Sequence, residues 1–250
     1  MAELANLNGR AFAITGASRG MGLRFARALA AEGAKIALIA RPSNALDAAA
    51  KEIVGSIAAP CDVTSSSAVR GAFAAIEREF GCLHGLINNA GACLIHKVAQ
   101  STDEEFRQEI DTNLTGPLFC IREAIPLLKA SGGGDIVNVS SESVRLPFPY
   151  LTVYAATKAA LETLSHGLRA ELRPDGIRVT ILRSGHVADS SLGASWDPKR
   201  TEAFYATAQA SGRLQFSGEA VAPETMALML VQMLKLPREA NLDLIELRAF

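Results

Sequence analysis

Ser141, Tyr154 and Lys158 are residue types that can pass a proton to an oxygen or take one back, and they fall within one short stretch. It runs Ser141-Glu-Ser-Val-Arg-Leu-Pro-Phe-Pro-Tyr-Leu-Thr-Val-Tyr-Ala-Ala-Thr-Lys158. Tyr154 and Lys158 are four positions apart, so on a helix they lie one above the other. Ser141 follows the strand-like run Asp135–Ser140, so a hydroxyl, a phenol and an ammonium reach one region from a strand end and a helix start. Such a group can protonate or deprotonate a carbinol oxygen. At about 100° per residue, Tyr154, Lys158, Leu161, Ser165, Leu168 and Leu172 share one face. Lys158 therefore sits on a largely apolar stripe, where an unpaired buried ammonium is strongly unfavourable. For the pair alone, a plainer reading is a core tyrosine and a lysine stem reaching out to solvent. The remaining elements decide between the two.

Short apolar runs at 10–15, 35–40, 56–59, 83–88, 135–140, 177–183 and 243–247 alternate with helical patterns at 23–32, 43–54, 65–80, 101–129, 154–173 and 219–235. Ser101-Thr-Asp-Glu104 reads as a capping box, and Gly116-Pro117 marks a bend in the helix it opens. Residues 184–218 read as irregular. Apolar strands without polar alternation, separated by helices, predict an α/β fold with a parallel sheet covered on both faces. No linker, charge run or repeat divides the chain, so one domain over residues 1–250 is expected. In such sheets a ligand binds outside the carboxyl ends of the strands. The glycine-rich turn, Arg41, Asp62, Asn88 to Gly91, Ser141 and the segment from Ser184 all follow strands, and so share that edge.

Gly16, Gly20 and Gly22 lie between a strand and a helix start, where missing Cβ atoms let a diphosphate approach main-chain N–H groups at the positive end of the helix dipole. The spacing differs from the G-x-G-x-x-G fingerprint, and a tight turn without a ligand stays open on this motif alone. Arg41 ends the second strand, nineteen positions after Gly22, where an NAD enzyme would usually carry a carboxylate for the ribose hydroxyls. With Arg19 in the glycine turn it makes two cations, favouring the extra phosphate of NADP(H) over NAD(H), which remains possible.

Taken together, these residues resemble the short-chain dehydrogenase/reductase family over nearly the whole chain. The motifs are Thr15-Gly-Ala-Ser-Arg-Gly-Met-Gly22, Asp62-Val63, Asn88-Asn-Ala-Gly91, Asn113, Ser141 thirteen positions before Tyr154, and Lys158. The resemblance implies a single-domain Rossmann fold, a doubly wound parallel seven-stranded sheet in the order 3-2-1-4-5-6-7. It implies a catalytic group of Asn113, Ser141, Tyr154 and Lys158, with Asn113 anchoring a water relay. It also implies a cofactor cleft lined by Gly16, Ser18, Arg19, Gly20, Met21, Gly22, Arg41, Asp62, Val63, Asn89, Ala90, Gly91, Gly185 and Val187, together with Tyr154 and Lys158. Lys158 and an oxidised nicotinamide are together expected to lower the pKa of the phenol, and the resemblance implies that Lys158 holds the nicotinamide ribose. The chain departs from the family at Ser184-Gly185, where Pro-Gly is usual, and at Asp189, where a threonine is usual.

A segment of about 184–218 is expected to cover the substrate. Beside Ser141 and Tyr154, the walls would use Leu94, His96, Phe148 and Trp196, suiting an apolar or aromatic ketone or secondary alcohol. Several of these aromatics could equally serve to pack the cover onto the sheet. The expected activity is NADP(H)-dependent interconversion of ketone and secondary alcohol. The rival readings are an NAD-linked alcohol dehydrogenase, a 3-oxoacyl reductase, or a nucleotide-sensing protein without turnover. A formal net charge of −1 over 250 residues gives no nucleic-acid footprint. No apolar run reaches membrane-span length, and Met1 to Arg10 lacks the pattern of a secretory signal. The four cysteines and four histidines are scattered, so neither disulfides nor a metal site is expected. A cytoplasmic protein follows, and family relatives suggest a homotetramer or homodimer.

Overall fold

Strands β1 (Ala11–Thr15), β2 (Lys35–Ala40), β3 (Ser56–Pro60), β4 (Gly85–Asn88), β5 (Gly134–Ser141), β6 (Ile177–Ser184) and β7 (Leu244–Leu247) form one parallel sheet in the computed structural model. Their order is β3-β2-β1-β4-β5-β6-β7, as the resemblance implied. The structure describes residues 4–188, 191–194 and 196–250, and at Phe216 the backbone alone. Asp189 therefore lies outside the described residues.

Side-chain alternation along the strands builds a core on each face. Phe12, Ile14, Ile36 and Leu38 point to one side, where helices α1 (Gly20–Ala31), α2 (Asn44–Glu52) and α9 (Pro223–Leu234) bring Phe25, Leu46 and Leu230. Ala11, Ala13, Ala37 and Ile39 point to the other, where α3 (Ser66–Phe80), α5 (Gly116–Ala130) and α6 (Thr152–Leu172) supply Phe73, Ile121 and Leu168. This double burial is why the strands read as unbroken apolar runs. Among the described residues no helix is long and apolar enough to cross a membrane.

Three expectations need correction. Helix α4 (Asp103–Ile110) is capped by Thr102 with Glu105 reaching back, one residue later than expected. The reason is that the Ser101 hydroxyl is engaged with the His96 ring and the Lys97 carbonyl. The bend expected at Gly116-Pro117 is a π-helical turn over Asp111–Thr115, which joins α4 to α5. The segment expected to be irregular holds α7 (Pro198–Ala210), capped by Asp197, and the short α8 (Arg213–Ser217). Only Phe204 and Ala208 of α7 are buried, too few for a clear helical stripe in the sequence.

Candidate active site

The carboxyl ends of β1, β4 and β5 are tied together before any functional group is placed. Asn89 and Ala90 both donate main-chain N–H groups to the Thr15 hydroxyl at 3.0 Å, and the Asn89 amide donates to the Thr15 carbonyl at 2.9 Å. Beneath this edge, the Asn88 amide donates to Asn138, and Asn138 donates to Ser165 on α6. Buried amides with these partners fix β4, β5 and α6 in one register.

On that frame the structure brings Ser141, Tyr154, Lys158 and Asn113 to one place. Tyr154 and Lys158 are buried, with Lys158 Nζ 5.8 Å from the Tyr154 ring centre. The Ser141 hydroxyl acts on the Tyr154 phenol, drawing its pKa down, and accepts from the Ser143 N–H at 3.2 Å. Lys158 Nζ donates to the Val139 carbonyl at 2.8 Å, its one partner among the described residues. The Asn113 amide accepts from Ala92 N at 2.8 Å and donates to the Ala92 carbonyl and to the Thr157 hydroxyl. Its side chain thus holds main chain, and the π-helical turn is the local shape that lets it reach there. A Cβ on Gly91 would stand 3.4 Å from the Asn113 amide oxygen and 3.6 Å from the Lys158 ammonium, so both groups converge on that bare backbone.

The charges do not behave as the sequence led one to expect. Burial pushes the Tyr154 phenol up and out of its usual range. Cys93, Glu109 and Glu142 add to the rise, and the Ser141 hydroxyl pulls against it. A depressed phenol was expected from Lys158, but the ammonium turns toward Val139 and the ring is dry. Burial lowers Lys158 itself to about 8, with Cys93 acting in the opposite direction. The resting pair is a protonated phenol beside an ammonium that loses its proton easily.

The dinucleotide edge fits its ligand on three counts. Helix α1 starts at Gly20 with no side-chain cap and no acidic residue in its first turn, leaving its leading N–H groups for an anion. Gly16 has φ of 68°, and a Cβ at Gly22 would lie 2.4 Å from the Gly16 carbonyl oxygen, so only glycine closes this turn. Ser18 and Met21 are half-buried in the same turn, while Arg19 and Arg41 are exposed and have no side-chain partner among the described residues. Asp62 uses one oxygen to hold the Thr64 N–H and hydroxyl, shaping the turn into α3, and Val63 packs in the core beside it. Gly185 abuts Arg248, and the Ser184 hydroxyl donates to the Gly185 carbonyl where proline would offer nothing. Val187 is buried and bridges to Val221.

The expected substrate walls divide. Phe148 and Trp196 join Tyr154, Cys93, Ile95, Leu151 and Phe204 in an apolar cluster, Trp196 meeting Phe204 edge-on at 5.9 Å. The Trp196 indole N–H donates to the Cys93 carbonyl at 2.7 Å, so it also fastens the cover. Leu94 is half-buried and donates its N–H to Glu109. His96 is 2% exposed, with one ring nitrogen against Glu109 and the other against Ser101, which leaves it no free nitrogen for a substrate. Tyr150 adopts φ of 69°, a strained backbone at the cleft margin. Sequence reading missed Thr15 and Thr157, whose hydroxyls hold the framework. It also missed Glu109 and Glu142, two acids that sit in patterns normally found on a solvated face.

Comparison with known proteins agrees with this geometry. A family model described as short chain dehydrogenase matches residues 10–201. The glycine betaine reductase ATRR of Emericella nidulans is 33% identical over 241 residues, 95% of this chain, and the chain spans 18% of that protein's length. The L-sorbose reductase of Gluconobacter frateurii, solved with NADPH and L-sorbose, superposes with a TM-score of 0.84 at 25% identity, covering 97% of this chain and 96% of that one. An alcohol dehydrogenase of the archaeon Thermococcus sibiricus, solved with 5-hydroxy-NADP, gives 0.82 at 28% identity over 96% and 97%. With the sheet order, the glycine turn and the Ser141, Tyr154 and Lys158 grouping all in place, the chain belongs to the short chain dehydrogenase family and is an oxidoreductase.

Proposed function

We propose that the protein interconverts a ketone and a secondary alcohol with NADP(H), Tyr154 serving as the proton donor and acceptor. The observation that carries this is a buried phenol acted on by the Ser141 hydroxyl, with the buried Lys158 ammonium 5.8 Å from its ring centre. NADP(H) is favoured because two neighbouring structures hold NADPH or an NADP derivative, and because Arg19 and Arg41 offer two exposed guanidinium groups, without side-chain partners among the described residues, for the adenosine end. The glycine turn and the α1 N-terminus would take the diphosphate. Asp62 would stand by the adenine, and the two spare N–H donors of Lys158 would meet the nicotinamide ribose. When bound, the nicotinamide supplies or accepts the hydride.

The chain's own residues handle the proton and the oxygen. Burial keeps the phenol protonated, so in the reductive direction Tyr154 gives its proton to the carbonyl oxygen. The Ser141 hydroxyl donates to the same oxygen as charge develops there. Lys158, lowered to about 8, is suited to return a proton to the phenol near neutrality. Asn113 positions the Ala92 backbone and Thr157 around them. The apolar cluster of Phe148, Trp196 and Phe204 suits an apolar or aromatic substituent on the substrate. Tyr154→Phe tests the assignment. NADPH-dependent reduction across a panel of aromatic ketones should fall about 10²- to 10⁴-fold, with the circular dichroism spectrum unchanged. Turnover at the wild-type level in that variant would overturn it.

A further inference from the structure

Strand β5 ends in Ser140-Ser141, and the 3-10 turn that follows (Glu142–Val144) carries two more polar residues, its Ser143 N–H donating to the Ser141 hydroxyl. Glu142 is 5% exposed and Ser143 2%. Glu142 Oε1 accepts a hydrogen bond from the Ser217 hydroxyl at the end of α8, so this acid spans from the Ser141 strand end to the segment over the cleft. Among the described residues its Oε2 has no partner, and neither has the Ser143 hydroxyl. By contrast, Ser140, one residue before Ser141, donates its hydroxyl to Glu162. Leaving such atoms buried and unpaired is unfavourable, and these two belong to the residues that directly follow Ser141. Burial also pushes the Glu142 carboxyl up, with Ser217 and Arg248 working the other way.

We propose that Glu142 and Ser143 form a polar subsite for a hydroxyl on the carbon next to the reacting carbonyl, making vicinal hydroxy ketones, and in reverse vicinal diols, the preferred substrates. The proposal rests on the reductase reading above and names its substrate class. Reduction places a hydride on the carbonyl carbon and a proton on its oxygen, and the neighbouring hydroxyl leaves the reaction unchanged. The apolar cluster around Tyr154 takes the rest of the molecule, so an aryl hydroxy ketone matches both halves of the cleft. Sites built to bond a hydroxyl discriminate strongly against the analogue without it, because their own polar groups are then left unpaired.

The test compares 2-hydroxyacetophenone with acetophenone. Each is measured by NADPH oxidation and by calorimetric binding to the protein loaded with NADP+, where no turnover occurs. Wild-type protein should bind the hydroxy ketone at least about tenfold more tightly, with a matching ratio of kcat/KM. Ser143→Ala should lower that ratio by about threefold or more, and Glu142→Leu should bring it to within about twofold of unity. Equal binding of the two ketones by wild-type protein would overturn the subsite, as would binding of neither or a ratio unchanged in Ser143→Ala. A binding preference without NADPH oxidation on either ketone would uphold the subsite and refute the reductase reading instead.

Discussion

Lys158 offers a direct measurement of what the site does to a charge. The side chain is 3% exposed, and of its three N–H donors only one has a partner among the described residues, the Val139 carbonyl. Desolvation therefore outweighs that one bond and lowers the group from 10.5 to about 8. In the unfolded chain the ammonium keeps its proton up to about 10.4. Between about pH 8 and 10.5 the unfolded state thus binds more protons, and folding stability rises with pH. The full span is worth about 3 kcal/mol at 1.36 kcal/mol per unit, of which about 2 kcal/mol has accumulated by pH 9.5. Lys158→Met removes the titrating group and keeps most of the stem. Urea unfolding of the cofactor-free wild type and of this variant, from about pH 7 to 9.5, isolates the effect, because other groups cancel in the difference. The wild type should gain about 2 kcal/mol on the variant over that range. A difference that stays flat, or moves toward the variant, would show that Lys158 is not a desolvated ammonium and would remove the basis for its proton-returning role.

Two further substitutions probe the cofactor edge. Arg41→Asp replaces an exposed guanidinium that has no competing partner with a ribose-binding carboxylate, so the kcat/KM ratio for NADPH over NADH should fall about tenfold or more. A ratio unchanged in steady-state assays would show that Arg41 does not read the phosphate. Gly22→Ala drives a Cβ to 2.4 Å from the Gly16 carbonyl oxygen and 2.5 Å from the Asn89 amide nitrogen. Overpacking of this kind costs about 1–3 kcal/mol. The melting temperature should drop by several degrees and NADPH affinity should weaken with it, whereas wild-type values for both would mean that the turn yields easily.

The sequence disclosed the sheet because its inner strands are buried on two faces. The run after Lys35, Ile36 to Ala40, reads apolar throughout because all five of its residues are buried. Cover helix α7 was hidden because it packs on a roof rather than a core and shows only two buried residues, although Asp197-Pro198 is a cap followed by a first-turn proline. His96 looked like a wall residue because it follows β4 at the cleft. Its actual partner, Glu109, lies thirteen positions on and across a helix start, a distance at which no local pattern links the two. Ser141, Tyr154 and Lys158 were legible because two of them share a helix face and the third closes the strand before it. Glu142 was not, since an acid within a Ser-rich turn reads as solvated until its burial is seen.

The distribution of unmet bonding capacity separates scaffold from site. One layer down, the network is closed: Glu162 accepts from Ser140 and from Arg183, and Arg183 reaches on to Glu246, locking β5, β6, β7 and α6 together. At the carboxyl ends of β4 and β5 it is open. The three buried side-chain atoms without a partner among the described residues are Asn88 Oδ1, Glu142 Oε2 and Ser143 Oγ, and all belong to those two strand ends. Lys158, with spare donors, reaches the same place from α6. A fold selected for stability alone would fill such positions with apolar side chains, because an apolar replacement for a half-satisfied polar group is often neutral or better. Their concentration on the edge where this sheet architecture binds ligands is therefore best explained as capacity kept for a bound molecule. The closed network beneath is what allows those groups to stay fixed while unsatisfied.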